Sequence, residues 1–195
     1  MSSSTLRLAV VVGSVREGRI GPTVANWFAS QVAKRPDVQL DLIDLADAPL
    51  VPMAPRADPG AETQRSLDDL TPRFKAADGF VIVTPEYNSS YPAALKNVVD
   101  WHNAEFHAKP VGFVSYGGMA GGLRSVEQLR LVFAALHATT VRDTVSFHQV
   151  WDLFDSDGAL KDPGGPNAAA KKLLDQMAWW ATALKGARSA TPYSA

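Results

Sequence analysis

Short apolar runs alternate with helix-period stripes along the chain. Leu6 to Val12 (LRLAVVV) is apolar and β-branched, and Gly13 follows it. Val38 to Leu45 alternates apolar and polar residues, which predicts a strand with one half-exposed face. Gly79 to Thr84 (GFVIVT) stops at Pro85, and Pro110 to Tyr116 (PVGFVSY) stops at a glycine pair. Thr139 to Phe147 predicts a fifth strand. Near-continuous apolar runs suit strands covered on both faces, as in a parallel sheet. Between the strands, Pro22 to Lys34 places Val24, Phe28 and Val32 on one helical stripe, with Pro22 suited to a first helical position. Ala61 to Ala77, Pro92 to Asn103, Gly122 to Ala138 and Asn167 to Lys185 complete five helices, with Asn167 as a cap for the last.

Strands alternating with helices at this spacing predict a single α/β domain over residues 1–195. Right-handed crossovers favour a five-stranded parallel sheet of order 2-1-3-4-5 between two helical layers. Two connections stand out as irregular: Ala48 to Gly60, with four prolines, and Gln149 to Pro166. In such a sheet a ligand sits beyond the carboxyl ends of the strands, where strand order reverses. The loops after strands one, three and four are therefore the ones to read.

The first is Gly13-Ser-Val-Arg-Glu-Gly-Arg-Ile-Gly21. Glycines allow a tight path, the helix start offers amides to an anion, Ser14 adds a hydroxyl, and Arg16 and Arg19 add cationic forks. A phosphate is the predicted guest. Arg19-Ile20 replaces the Lys-Ser/Thr pair of a nucleotide-hydrolysing loop, and Arg16 stands where a dinucleotide fingerprint needs its first glycine. A terminal monophosphate fits better than a pyrophosphate; the plainer alternative is a glycine-rich turn with two solvated arginines. The second loop, Thr84-Pro-Glu-Tyr-Asn-Ser-Ser-Tyr-Pro92, offers Tyr87 and Tyr91 as aromatic faces and the Asn88 amide to a flat heterocycle. The third, Ser115-Tyr-Gly-Gly-Met-Ala-Gly-Gly122, lets backbone amides approach the polar edge of a ring and oppose negative charge there.

Lys plus Arg is 19 and Asp plus Glu is 20, so the basic excess of a nucleic-acid surface is missing, as is the acidic field of a steered electron carrier. No cysteine is present, which excludes disulfides, thiolate metal sites and cysteine nucleophiles. Met1 to Thr5 lacks the basic flank and cleavage site of a signal peptide, and no run is long enough to span a membrane, so a cytoplasmic protein is expected. His102, His107, His137 and His148 make no metal-ligand spacing, and Asp152, Asp155 and Asp157 miss the calcium-loop register. Trp179-Trp180 reads as helix packing, and Glu105, Lys96 and Lys109 as surface charges.

Taken together, Gly13-Ser14-Val15-Arg16, Pro85-Glu86-Tyr87-Asn88 and Ser115-Tyr116-Gly117-Gly118 resemble the marks of the NADPH-dependent FMN reductase family, whose flavodoxin-like members include flavin and quinone reductases, azoreductases and chromate-reducing enzymes. The resemblance covers about residues 6–147. It implies an FMN cofactor, NADPH or NADH as donor, a small-molecule electron acceptor, ping-pong kinetics, and a homodimer or homotetramer with the helix after Pro92 at the interface. It further implies that Ser14, Arg16 and the Arg19-Ile20-Gly21 turn hold the FMN phosphate. Pro85, Glu86, Tyr87 and Asn88 would line the ring and ribityl chain, and Ser115, Tyr116, Gly117 and Gly118 would face the pyrimidine end. Many relatives carry a hydroxyl residue a few positions after the arginine, where this chain has Gly18-Arg19. The cofactor carries the chemistry, so no catalytic side chain is assigned. The alternatives are a flavodoxin-type electron carrier and an FMN-binding module without reductase activity.

Overall fold

The computed structural model describes residues 5–53 and 58–194. Most of the Ala48 to Gly60 connection is therefore described, while its central residues and Met1 to Ser4 lie outside. Strand β1 (Leu6–Val12), helix α1 (Gly21–Val32), β2 (Val38–Asp44), α2 (Gly60–Ala76), β3 (Gly79–Pro85), α3 (Ala93–Trp101), β4 (Pro110–Tyr116) and α4 (Leu123–Ala135) follow in the order the pattern predicts. Every residue of β3 and β4 is buried, as continuous apolar strands require, whereas the edge strand β2 is only partly covered.

The sheet is parallel, in the order β2-β1-β3-β4-β5. The expected fifth strand is divided. Thr139–Thr140 forms β5 and pairs with Pro110 and Val111, while Val145–Phe147 forms β6 and pairs with Val114 to Tyr116. Between them Arg130 donates to the carbonyls of Val141 and Arg142, and Val141 N–H still donates to Val111 O at 2.9 Å. Helix α5 (Gly164–Ala190) is longer than expected at both ends. Pro163 occupies its cap position, and Asn167 lies inside the helix, where its side-chain oxygen accepts from Trp27 Nε1 at 3.2 Å.

Strand alternation divides the core. Leu8, Val10, Val12, Val81, Val83 and Val114 meet α1 and α5, while Ala9, Val11, Phe80, Ile82, Val111 and Phe113 meet α2, α3 and α4. Gly112 fixes the approach of α5, since a Cβ there would lie 2.8 Å from Leu173 Cδ1. On the other face Phe74, Phe80, Phe106 and Phe133 form a chain of ring contacts with centroids 4.8–5.6 Å apart. Each such buried ring contributes about 2–3 kcal/mol through burial. Among the described residues no helix is long and apolar enough to cross a membrane. Both faces being helix-covered, a ligand has the carboxyl edge of the sheet to meet.

Candidate functional site

At that edge the loops after β1, β3 and β4 converge. Gly13 N–H continues the β1–β3 ladder by donating to Val83 O at 2.9 Å, and the chain then lifts away. Among the described residues, no backbone N–H from Ser14 to Gly21 donates a hydrogen bond. These free donors run straight into the start of α1, whose cap residue Ile20 gives no side-chain cap. Free amides at a helix start form an anion cradle, reinforced by the helix dipole. Ser14 is fully buried beneath it, its Oγ 2.6 Å from Tyr87 Oη. Arg16 is exposed, with its guanidinium 5.5 Å from the centre of the Tyr87 ring.

Arg19 is held differently from Arg16. Its Nη1 donates to Ser14 O at 2.6 Å and to Asp44 Oδ1 at 2.5 Å. The Asp44 carboxylate raises the affinity of the guanidinium for its proton. Arg19 thus pins the loop to the end of β2, and the open fork is Arg16.

The second loop is a two-residue hairpin closed by Tyr87 N to Ser90 O at 2.8 Å and Ser90 N to Tyr87 O at 3.0 Å. Its central residues Asn88 and Ser89 have φ of +50° and +66°. Asn tolerates that left-handed region; Ser does so at a cost. Helix α4 clamps the tip: Gln128 Nε2 donates to Ser89 O at 2.6 Å and Gln128 Oε1 accepts from Ser90 Oγ at 2.7 Å. The Glu86 side chain is turned to the same helix. Its carboxylate accepts from Arg124 N at 3.2 Å and from Arg124 Nη1 at 2.8 Å, capping α4 with a negative charge.

In the third loop Ser115 Oγ donates to Gly121 O at 2.8 Å from a fully buried position. Gly122 has φ of +83°, and a Cβ there would lie 2.7 Å from Ser115 Cβ, so glycine is required. Gly117 N–H is committed to Phe147 O at 3.1 Å. Gly118 N–H donates to no described residue and its Cα faces open space bounded by Gln149 and Trp151. Tyr116 does not accompany them. Its side chain joins the core face of α1, and its hydroxyl comes within 2.7 Å of where a Cβ on Gly21 would stand.

The structure thus brings Ser14, Arg16, Tyr87, Tyr116 and Gly21 together at one end, and Glu86, Arg124, Gly117 and Gly118 at the other. A cleft of about 260 Å³ adjoins the first loop, lined by Val15, Leu45, Ala48, Leu50, Ala94 and Val98. The fit to a phosphate-bearing flat ring rests on two observations: the row of free loop amides, and the buried Tyr116 hydroxyl, which has no partner. Sequence reading missed Asp44, Arg124 and Gln128, whose roles depend on long-range pairing. His148 Nδ1 donates to Met119 O of the third loop at 2.8 Å, while the other three histidines stay outside the site. His102 is buried and kept neutral, with burial lowering its pKa, its Nδ1 donating to Val98 O and its Nε2 accepting from Thr71 Oγ1. Among the described residues no group of three or more His, Cys, Asp or Glu side chains is arranged to hold a metal.

The model of a family described as NADPH-dependent FMN reductase matches residues 6–152. An NAD(P)H-dependent FMN reductase of Schizosaccharomyces pombe is 38% identical over 122 residues, which is 60% of this chain and 61% of that relative. A probable NADPH:quinone oxidoreductase of Oryza sativa subsp. japonica is 32% identical over 83% of this chain and 82% of its own length. Among solved structures, the flavoenzyme NAD(P)H:(acceptor) oxidoreductase FerB of Paracoccus denitrificans superposes with a TM-score of 0.70 at 21% identity, covering 91% of this chain and 98% of that one. That likeness shows a shared fold.

Proposed function

The chain belongs to the NADPH-dependent FMN reductase family, and from that premise we propose that its three loops hold FMN for electron transfer from NAD(P)H to a small acceptor such as a flavin, quinone or azo compound. The observation that carries this reading is the row of free amides from Ser14 to Gly21, opening on the start of α1 with Arg16 beside it. FMN, when held there, would supply two-electron redox chemistry between the nicotinamide and the acceptor, as the ping-pong reading requires.

The chain's own residues bind and orient. Ser14, Arg16 and the Ile20 and Gly21 amides take the phosphate. Arg19 keeps the loop in shape through Asp44 and the Ser14 carbonyl. Pro85, Tyr87 and Asn88 line the ring and ribityl chain, on a hairpin that Gln128 holds still. Glu86 contributes by anchoring that hairpin to α4. Gly118 offers its amide to the polar edge of the ring, and Ser115 and Gly117 hold the loop that presents it. No side chain is assigned an acid–base step.

The assembly we propose is a cytoplasmic homodimer or homotetramer with α3 at the interface. Support comes from the exposed side chains of Val51 and Met53, whose backbone Asn97 and Trp101 tie to α3. Light scattering on the eluted protein tests it; a monomer refutes it.

The function is tested by loading the purified protein with FMN, removing the excess, and adding NADPH without oxygen or any partner protein. Loss of the visible flavin absorption, with recovery on adding quinone, is the expected result. Flavin that stays oxidised identifies a carrier of the flavodoxin type. A protein that takes up no FMN overturns the reading altogether.

A further inference from the structure

Tyr116 closes β4 on the face that packs against α1, and its side chain ends beneath the first loop. The residue is 4% exposed, and its Oη is buried with no hydrogen-bond partner among the described residues. Native folds partner such groups as a rule, so a buried hydroxyl left alone marks a strained or functional place. Ser14 is its neighbour: a Cβ built on Gly21 would stand 2.7 Å from Tyr116 Oη and 3.7 Å from Ser14 Cβ, the Ser14 hydroxyl eases the ionisation of the phenol, and Ser14 Oγ is itself 2.6 Å from Tyr87 Oη.

Gly21 supplies a second, independent observation. It is the first residue of α1 and has no positive φ, so backbone freedom does not explain a glycine there. Space does: a Cβ would stand 2.7 Å from Tyr116 Oη and 3.2 Å from Val12 Cγ1. The glycine and the phenol are matched to each other at the floor of the amide cradle.

We propose that Tyr116 is a positioning residue that backs the Ser14 hydroxyl and so sets the preference of the first loop for a phosphorylated flavin over an unphosphorylated one. The inference rests on the reading of that loop as the phosphate site. A serine hydroxyl has one proton to give and two lone pairs to offer. A phosphate is mainly an acceptor, so Ser14 must spend its proton on it. Its lone pairs then face two phenols, Tyr87 on one side and Tyr116 below. Burial raises the pKa of Tyr116, so it remains a donor throughout the physiological range. With phenylalanine at this position, no second phenol stands ready to donate to Ser14 when its proton goes to the ligand.

The test compares Tyr116→Phe with the wild-type protein, measuring dissociation constants for FMN and for riboflavin by quenching of flavin fluorescence. FMN affinity should fall about five-fold, the scale of one neutral hydrogen bond. Riboflavin affinity should stay within about two-fold, because riboflavin brings no phosphate. Thermal unfolding without flavin should be unchanged or raised, since the variant removes a buried hydroxyl without a partner. A variant that keeps the wild-type FMN-to-riboflavin ratio, or loses affinity for both equally, overturns the role of Tyr116. A wild-type protein that binds both flavins equally overturns instead the reading of the loop as a phosphate site.

Discussion

At the amino end of the sheet, Asp78 accepts from Arg7 N at 2.9 Å and from Lys185 Nζ at 2.8 Å, with Arg188 Nη2 3.7 Å away. Beside it, Lys109 is buried and donates to the last carbonyls of α2, Phe74 O at 2.8 Å and Lys75 O at 3.1 Å. At the carboxyl end, the amides of the first loop and the Tyr116 hydroxyl find no partner among the described residues. Both ends carry buried polar groups, but the amino end satisfies Asp78 and Lys109 internally, whereas the carboxyl end leaves the Tyr116 hydroxyl alone among the described residues. Satisfied groups fix the fold, whereas unsatisfied ones are held ready for a ligand.

Perturbing the amino end should change stability without touching flavin affinity. Burial lowers the Lys109 pKa to about 8 from its ordinary 10.5. Between those values the unfolded chain binds more protons, so stability rises with pH from about 8 to 10.5; below about 8 the cost is constant. Lys109→Met should abolish this rise, worth about 3 kcal/mol, as read by urea unfolding across that range. An unchanged slope would place the ammonium in water. Asp78→Ala strands the Lys185 charge and the Arg7 amide, and should cost about 2–3 kcal/mol in the same assay while FMN affinity holds.

Perturbing the carboxyl end should do the reverse. Arg16→Ala removes an exposed cation and should weaken FMN binding about ten-fold, with unfolding free energy shifted by less than about 0.5 kcal/mol. Equal affinity would remove Arg16 from the site. The smallest effect belongs to Ser89→Gly, which relieves a positive φ and should raise stability by about 0.5 kcal/mol. A loss of stability there would show that the serine makes an interaction worth more than its strain.

How far the sequence announced all this depended on range. Strands β1, β3 and β4 and the helices between them were legible, because burial on both faces writes itself as continuous apolar runs. The split of the last strand was not: the carbonyls of Val141 and Arg142 between its halves go to Arg130 of α4, a pairing that only the fold reveals. The three loops were legible as glycine-rich departures from buried strands. The division of labour within them was less so: Arg19 meets Asp44, Glu86 meets Arg124, and Tyr116 reaches the first loop only once the sheet is assembled. Lys109 looked like a surface charge. The available signal was its place immediately before the wholly buried β4, where a side chain enters the core beneath α2.

The Glu86 carboxylate that caps α4 bears on any attempt to redesign the second or third loop. One side chain belongs to the second loop by sequence and to the third by bonding. Grafting either loop alone from another scaffold would break that joint, exposing a helix start on one side and an orphaned carboxylate on the other. Residues 85–90 and 117–128 therefore form one interchangeable module, to be exchanged together.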